Sequence, residues 1–277
     1  MSAIYDRVVK CLECVRAKTD FVPKVALVLG SGLGDYGNEI QVEAIVDYHD
    51  IEGFPVSTVP GHSGRFIFGY VEDVPVVCMQ GRVHYYEGYA MEDVVLPVRL
   101  MKLMGAEVFF VTNAAGGANE VFNAGDFMMI TDQISQFVPS PLAGPNPDEF
   151  GTRFPDMSEI YNKDLRVLLR EAADELNITL YEGTYLQTSG PNFETPAEVR
   201  FFRSVGADAV GMSTAVETIA ANHMGMKICG ITFISNPAAG LSKNPLTHEE
   251  VQEAANEASK RFKKLVTVAI RKIGKQL

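Results

Sequence analysis

An α/β domain with a mixed sheet between helices is what this sequence predicts, and three observations predict it. Apolar runs of strand length recur along the chain, several of them apolar throughout without alternation, as strands buried on both faces read. Helical stripes lie between and around those runs, and no internal repeat competes with the alternation. With 277 residues the chain sits near the upper limit of one hydrophobic core, so a single domain spanning 1–277 is expected, its first 20 residues forming an N-terminal helix outside the main motifs.

In chain order the strand-like runs are "KVALVLG" (24–30), "RFIFGYV" (65–71), "VPVVCMQG" (74–81), "EVFFVTN" (107–113), "DFMMITD" (126–132), "TLYEGTYLQTSG" (179–190), "ADAVGMS" (207–213) and "KICGITFISN" (227–236). Met91, Val94, Val95, Val98 and Met101 form one helical stripe, in which Pro97 is expected to introduce a kink. Leu165, Leu168, Leu169, Ala172 and Leu176 form a second, with Ser158 as candidate N-cap. Thr195, Pro196 and Glu198 make a capping box with proline at the first helical position, and Thr247 to Glu250 a second box opening a last helix that buries Val251, Ala254, Ala258, Phe262 and Leu265. The region 140–157 is proline-rich and irregular, and a subunit interface is one destination for its Phe150 and Phe154.

The composition, 47% hydrophobic and 21% charged, is that of a soluble globule. A net charge of -11 without any Lys/Arg run argues against nucleic acid or a membrane surface as partner. The N-terminus carries dispersed charges and no long apolar stretch, so neither a signal peptide nor a membrane span is expected and the location reads as cytoplasmic. Cys11 and Cys14 form a C-x-x-C inside a helical pattern, while Cys78 and Cys229 sit in strand-like runs; core thiols are expected, and no metal.

Ligands of α/β folds bind beyond the carboxyl ends of strands. After the first strand, "GSGLG" offers backbone amides and the Ser31 hydroxyl to an anion, or makes a plain tight turn; its spacing departs from the dinucleotide fingerprint. "PGHSGR" supplies His62 and Arg65. "GRVHYYEGY" supplies Arg82, His84 and Tyr86, which an extended chain would turn to one side. Four basic groups in two loops of an acidic protein favour an anion site over a surface Arg paired with Glu87 and a core histidine. In "TNAAGG" the small residues Ala114, Ala115 and Gly116 follow a strand and bring backbone amides within reach of a ligand, although a turn explains the glycines equally well. Phe193 and Glu194 stand immediately before the Thr195 cap. Ser213 or Thr214 can cap the helix carrying Glu217, Met212 reads as core or contact, Asn236 precedes a proline, and His248 lies where a cation is unfavourable and should be neutral.

Taken together, "GSGLG", "PGHSGR", "GRVHYYEGY", "TNAAGG", "GTRFPDMS", "GPNFETPAE", "VGMSTAVE" and "SNPAAG", in this order from about residue 20 to the C-terminus, resemble the trimeric purine nucleoside phosphorylases of the nucleoside phosphorylase family. The resemblance implies a partly barrel-like sheet, a homotrimer, and phosphorolysis of purine nucleosides to free base and pentose 1-phosphate, with phosphate as co-substrate and no cofactor. It implies that Ser31, His62, Arg82, His84, the Ala114 backbone and Ser213 hold phosphate. Tyr86 and Met212 would meet the ribose, and His248 its 5′-hydroxyl. Phe193 would pack on the base, Glu194 and Asn236 would bond its edge, and Phe154 would enter the neighbouring subunit's site. A 6-oxopurine offers N1–H to Glu194, and related methylthioadenosine phosphorylases carry aspartate where Asn236 stands; inosine, guanosine and their 2′-deoxy forms are therefore expected. Asn236, Glu194 and His84 are the expected catalytic groups. Methylthioadenosine phosphorolysis, a dinucleotide-dependent oxidoreductase and a non-catalytic nucleoside-binding protein are the competing readings. Asn192, in place of the serine common before the Phe-Glu pair, is a departure from the family pattern.

Overall fold

The computed structural model describes residues 2–30, 33–59, 63–241 and 248–277, the side chains of 248–257 excepted. Among the described residues, strands form one nine-stranded mixed sheet. Its strands are β1 (Val25–Val28), β2 (Gln41–Asp47), β3 (Arg65–Val71), β4 (Val74–Gln80), β5 (Val108–Gly117), β6 (Phe127–Ile134), β7 (Leu180–Gln187), β8 (Ala209–Gly211) and β9 (Lys227–Pro237). The order is β2-β3-β4-β1-β5-β8-β7-β6-β9, and β5 also pairs with β9. That extra pairing returns the sheet on itself, so β5, β8, β7, β6 and β9 form a closed circuit from which β1, β4, β3 and β2 extend. The barrel-like closure implied by the family likeness is present.

The uniformly apolar runs have the expected cause. On β5, Phe109 packs into a core shared with α1 (Ala3–Arg16), α2 (Met91–Met104) and α5 (Ala215–His223), whereas its neighbour Phe110 packs into a second core with α3 (Lys163–Glu175) and α6 (His248–Gly274). Both rings are fully buried, each worth about 1.5–3 kcal/mol relative to exposure. A third, smaller cluster seats α4 (Pro196–Ser204) through Val199 and Phe202.

Several local expectations change. The edge strand β2 pairs antiparallel with β3 but exposes most of its residues, so its run lacks the apolar density of a buried strand. α2 continues through Pro97 from Met91 to Met104. α3 is capped by Asn162, whose side chain accepts from Leu165 N at 3.1 Å, and not by Ser158, whose hydroxyl donates to Asp156. Ile160 and Tyr161, between those two polar residues, are buried, which moves the helix start downstream. Phe150 turns inward against Tyr5 and beneath the Arg99 guanidinium, at 5.4 and 4.8 Å; only Phe154 of that pair is exposed. Ala258, Phe262 and Leu265 are buried on α6 as expected, whereas Thr247 and the side chains of Glu250, Val251 and Ala254 lie outside the described residues. All four cysteines are free, with Cys11, Cys78 and Cys229 buried and their thiols pushed up by that burial. No helix among the described residues is long and apolar enough to cross a membrane.

Candidate active site

A cavity of about 700 Å³ opens beyond the ends of β1, β4 and β8 and against the C-terminal halves of β5 and β9, lined by Arg82, His84, Tyr86, Ala114, Phe193, Glu194, Met212, Ser213 and Asn236 among others. Nine of the sequence-predicted residues thus meet in one place although they come from separate segments of the chain. Ser31 and His62 lie outside the described residues, as does the side chain of His248, the first residue of α6. Arg65 is elsewhere: it opens β3 and its Nε donates to Gln80 at 2.6 Å, so the basic groups described at the cavity are Arg82 and His84.

The extended chain expected to align Arg82, His84 and Tyr86 is not what aligns them. Tyr85–Glu87 form a 3₁₀ turn, and the turn stacks the His84 ring on Tyr86, with centroids 4.7 Å apart and planes 15° from parallel. Arg82 is 1% exposed. Its Nη1 donates to Ser213 Oγ at 2.6 Å and Thr214 Oγ1 at 3.0 Å and lies 3.1 Å from Glu217 Oε2, while Nη2 donates to the Thr112 carbonyl at 2.6 Å. The hydroxyls reach it through a strained backbone: Thr214 has φ +82° and ψ −59°, at the centre of a three-residue turn closed by Ala215 N to Ser213 O at 3.0 Å. Such a turn costs about 1–3 kcal/mol and persists where the surroundings hold it. Thr214 also starts α5, and Glu217 returns a carboxylate to its N–H at 2.8 Å.

Glu87, the arginine's partner in the alternative to an anion site, pairs with histidine. Its Oε1 lies 3.0 Å from His84 Nδ1 and accepts from His84 N at 2.7 Å, and its Oε2 accepts from Thr58 Oγ1 at 2.7 Å. Burial works against the charge, but the bonds from His84 and Thr58 outweigh it and hold the carboxyl down to about 2. Burial also pulls His84 below the usual histidine range, with the Glu87 bond opposing. At neutral pH the ring is therefore neutral; with Nδ1–H donated to Glu87, Nε2 is an acceptor suited to the O–H of a hydrogen phosphate. A depressed carboxylate contributes stability that is complete above about pH 4.3 and lost as pH falls toward about 2. Glu87→Gln should accordingly flatten the decline of unfolding free energy over that window in urea titrations, and an unchanged slope would contradict the pairing.

"TNAAGG" is strand and not the turn after one. β5 continues through Gly117, pairing Gly116 with both Val210 of β8 and Asn236 of β9 after a register shift at Ala115. Asn236 likewise lies within β9, 8% exposed. Ser235 Oγ donates to its Oδ1 at 2.7 Å and its Nδ2 donates to the Pro237 carbonyl at 2.9 Å. Both bonds fix the amide, and Nδ2 keeps one N–H for the cavity. Gly30 has a packing role: a Cβ there would stand 2.5 Å from Asn113 Cα, and its N–H is directed to Thr112 Oγ1 at 3.2 Å and not to an anion.

The Thr195 capping box is present, with Thr195 N to Glu198 Oε2 at 2.7 Å and Glu198 N to Thr195 Oγ1 at 3.2 Å. Ahead of it Gly190 turns the chain at φ +62°, where a Cβ would lie 2.5 Å from Met212 Sδ. Phe193 is 43% exposed at the cavity mouth, and burial raises the Glu194 carboxyl above its usual range. Thr188, Ser235 and Thr58 were not singled out by sequence; a hydroxyl that orients another side chain carries no signal of its own. Phe154 is 85% exposed and does not line this cavity.

Residues 24–271 match the family described as the phosphorylase superfamily. Purine nucleoside phosphorylase 1 of Bacillus subtilis (strain 168) is 50% identical over 96% of this chain and 98% of its own length. The structure of Schistosoma mansoni purine nucleoside phosphorylase in complex with inosine superposes with a TM-score of 0.91 at 35% identity, covering 96% of this chain and 95% of that one. The complex of the same organism's enzyme with adenosine gives 0.92 at 35% identity over 98% of both chains.

Proposed function

The chain belongs to the phosphorylase superfamily and is an enzyme that splits purine nucleosides with phosphate, and we propose that its substrates are the 6-oxopurine nucleosides inosine and guanosine and their 2′-deoxy forms. The observation that carries this reading is the pairing, in one cavity, of a carboxylate at Glu194 with an amide at Asn236. A 6-oxopurine presents N1–H to the carboxylate, whereas adenine presents a lone pair at N1. A mismatch of buried polar groups of this kind can discriminate by about 10⁴.

In this reading phosphate sits between Arg82, His84, Ser213 and the Ala114 backbone, with Ser31 and His62 completing its shell. Arg82 gives the cavity its fixed positive charge, and the neutral His84 can take or return the phosphate proton. Tyr86, whose phenol burial pushes up to about 12, meets the ribose as a neutral hydroxyl beside Met212, and His248 is assigned to the 5′-hydroxyl. As the glycosidic bond lengthens, the sugar gains oxocarbenium character and the purine gains negative charge at N7, where the remaining Asn236 N–H is directed. Positioning and charge stabilisation suffice, so phosphate is the co-substrate and neither a cofactor nor a side-chain nucleophile has a step to perform.

We assign Phe154 to the nucleoside site of a neighbouring subunit in a homotrimer. Its phenyl ring is 85% exposed, and among the described residues its ring contact is the Arg153 guanidinium, 5.5 Å from its centre. Phe154→Ala should raise KM for inosine about tenfold, the worth of one aromatic contact, while leaving Tm unchanged; an unchanged KM would remove Phe154 from the site. Cytoplasmic residence is part of the same proposal, and four free cysteines suit a reducing compartment. The substrate reading is tested by a panel of inosine, guanosine, adenosine and methylthioadenosine with and without phosphate. Faster turnover of methylthioadenosine than of inosine would overturn it.

A further inference from the structure

We propose that Thr188 is a positioning residue that keeps Glu194 ionised and oriented, and so sets how strictly the enzyme rejects 6-aminopurines. The inference rests on the assignment of Glu194 to the purine N1–H and deepens it. Thr188 follows the last residue of β7, and its N–H donates to the Gly211 carbonyl at 2.8 Å, which ties it to the end of β8. Its hydroxyl lies 3.3 Å from Glu194 Oε1 and 3.5 Å from the same Gly211 carbonyl. Glu194 stands on an otherwise exposed stretch, since residues 191–193 and 195–198 are exposed. The hydroxyl is thus a link between the rigid sheet and a carboxylate carried by a surface loop.

A hydroxyl has one proton and two acceptor positions. Facing an ionised Glu194 it donates to Oε1 in a charge-assisted bond, and Oε2 is left for the ligand. Facing a protonated Glu194 it can turn its proton to the Gly211 carbonyl and accept from the acid, with no charge to strengthen the bond. The difference favours the ionised form. It opposes burial, which pushes the carboxyl up, and the like charge of Glu198. The other titratable groups that line the cavity with Glu194 among the described residues come from the segment after β4: Arg82, His84, Tyr86 and Glu87. The connection between β8 and α5 contributes Met212 and Ser213, and β9 contributes Asn236, which are not titratable groups.

Ionised Glu194 accepts N1–H in a charge-assisted bond that the neutral acid cannot match, and only protonated Glu194 donates to the N1 lone pair of adenine. Removing the hydroxyl therefore has opposite effects on the two substrate classes. Thr188→Val, nearly isosteric, should move the acid limb of kcat/KM for inosine up by about half to one pH unit, with KM at about pH 6 raised roughly threefold to tenfold. The adenosine-to-inosine ratio of kcat/KM at that pH should rise about tenfold, and Thr188→Ser should restore the wild-type values. His84 titrates in every variant, so a difference between variants reports Glu194. If inosine is cleaved but Thr188→Val keeps the wild-type acid limb and substrate ratio, or Thr188→Ser is as impaired as Thr188→Val, the role of Thr188 is overturned and the substrate reading stands. If the wild-type enzyme cleaves adenosine and not inosine, both fail.

Discussion

Asn236→Ala should lower kcat for inosine phosphorolysis by two to three orders of magnitude, about 3–4 kcal/mol of lost transition-state stabilisation. The size follows from geometry. The Ser235 hydroxyl and the Pro237 carbonyl hold the amide, so its remaining N–H needs no reorganisation to meet charge growing on the purine. An interaction that strengthens as the bond breaks affects kcat more than KM. Single-turnover kinetics with inosine measure the chemical step directly, and an unchanged rate would remove Asn236 from leaving-group stabilisation. Alanine also leaves Ser235 Oγ without its acceptor, although that hydroxyl lies 3.2 Å from the Ala115 carbonyl and can redirect to it, so little change in Tm is expected.

Arg82→Gln should have the second largest effect, and on two quantities at once. KM for phosphate should rise at least a hundredfold, because the fixed charge of the cavity disappears, equivalent to about 3 kcal/mol. Stability should fall by about 3–5 kcal/mol in urea unfolding, because Glu217, 2% exposed, is left as an uncompensated buried charge. A second substitution separates the two. Glu217→Gln added to Arg82→Gln should recover much of the stability and none of the phosphate affinity. A single variant with wild-type phosphate KM would refute the anion site; a double variant no more stable than the single one would refute the pairing.

What could be read from sequence was whatever is decided locally. The Thr195 capping box is complete within four residues, and it stands where it was expected. The buried strands announce themselves by composition, since β5 and β9 must be apolar on both faces. Illegible features were decided by distant partners. The strand reads as ending at Asn113 because alanine and glycine carry little strand preference, yet pairing with β8 and β9, more than 90 residues away, keeps Ala114 to Gly117 extended. Phe150 and Phe154 lie in the same irregular segment and are opposite in burial, because Phe150 packs against Tyr5 and under Arg99. Glu87 pairs with His84 and not with Arg82, because the arginine has Glu217, 135 residues on, from α5. Nine of the residues that line the cavity were legible, whereas the polar groups that orient them were not.

The closed circuit of strands also has a consequence in time. β1 to β5 can pair with one another as soon as the first 117 residues exist, since β1 joins β4 and β5, and β3 bridges β2 and β4. The circuit cannot close until β9, residues 227–237, pairs with β5 and β6. Loops of such length make closure slow compared with local pairing. During synthesis Arg82 therefore waits in a partly formed sheet until Glu217 and Asn236 have been made, so the cavity is completed late, with the final third of the chain.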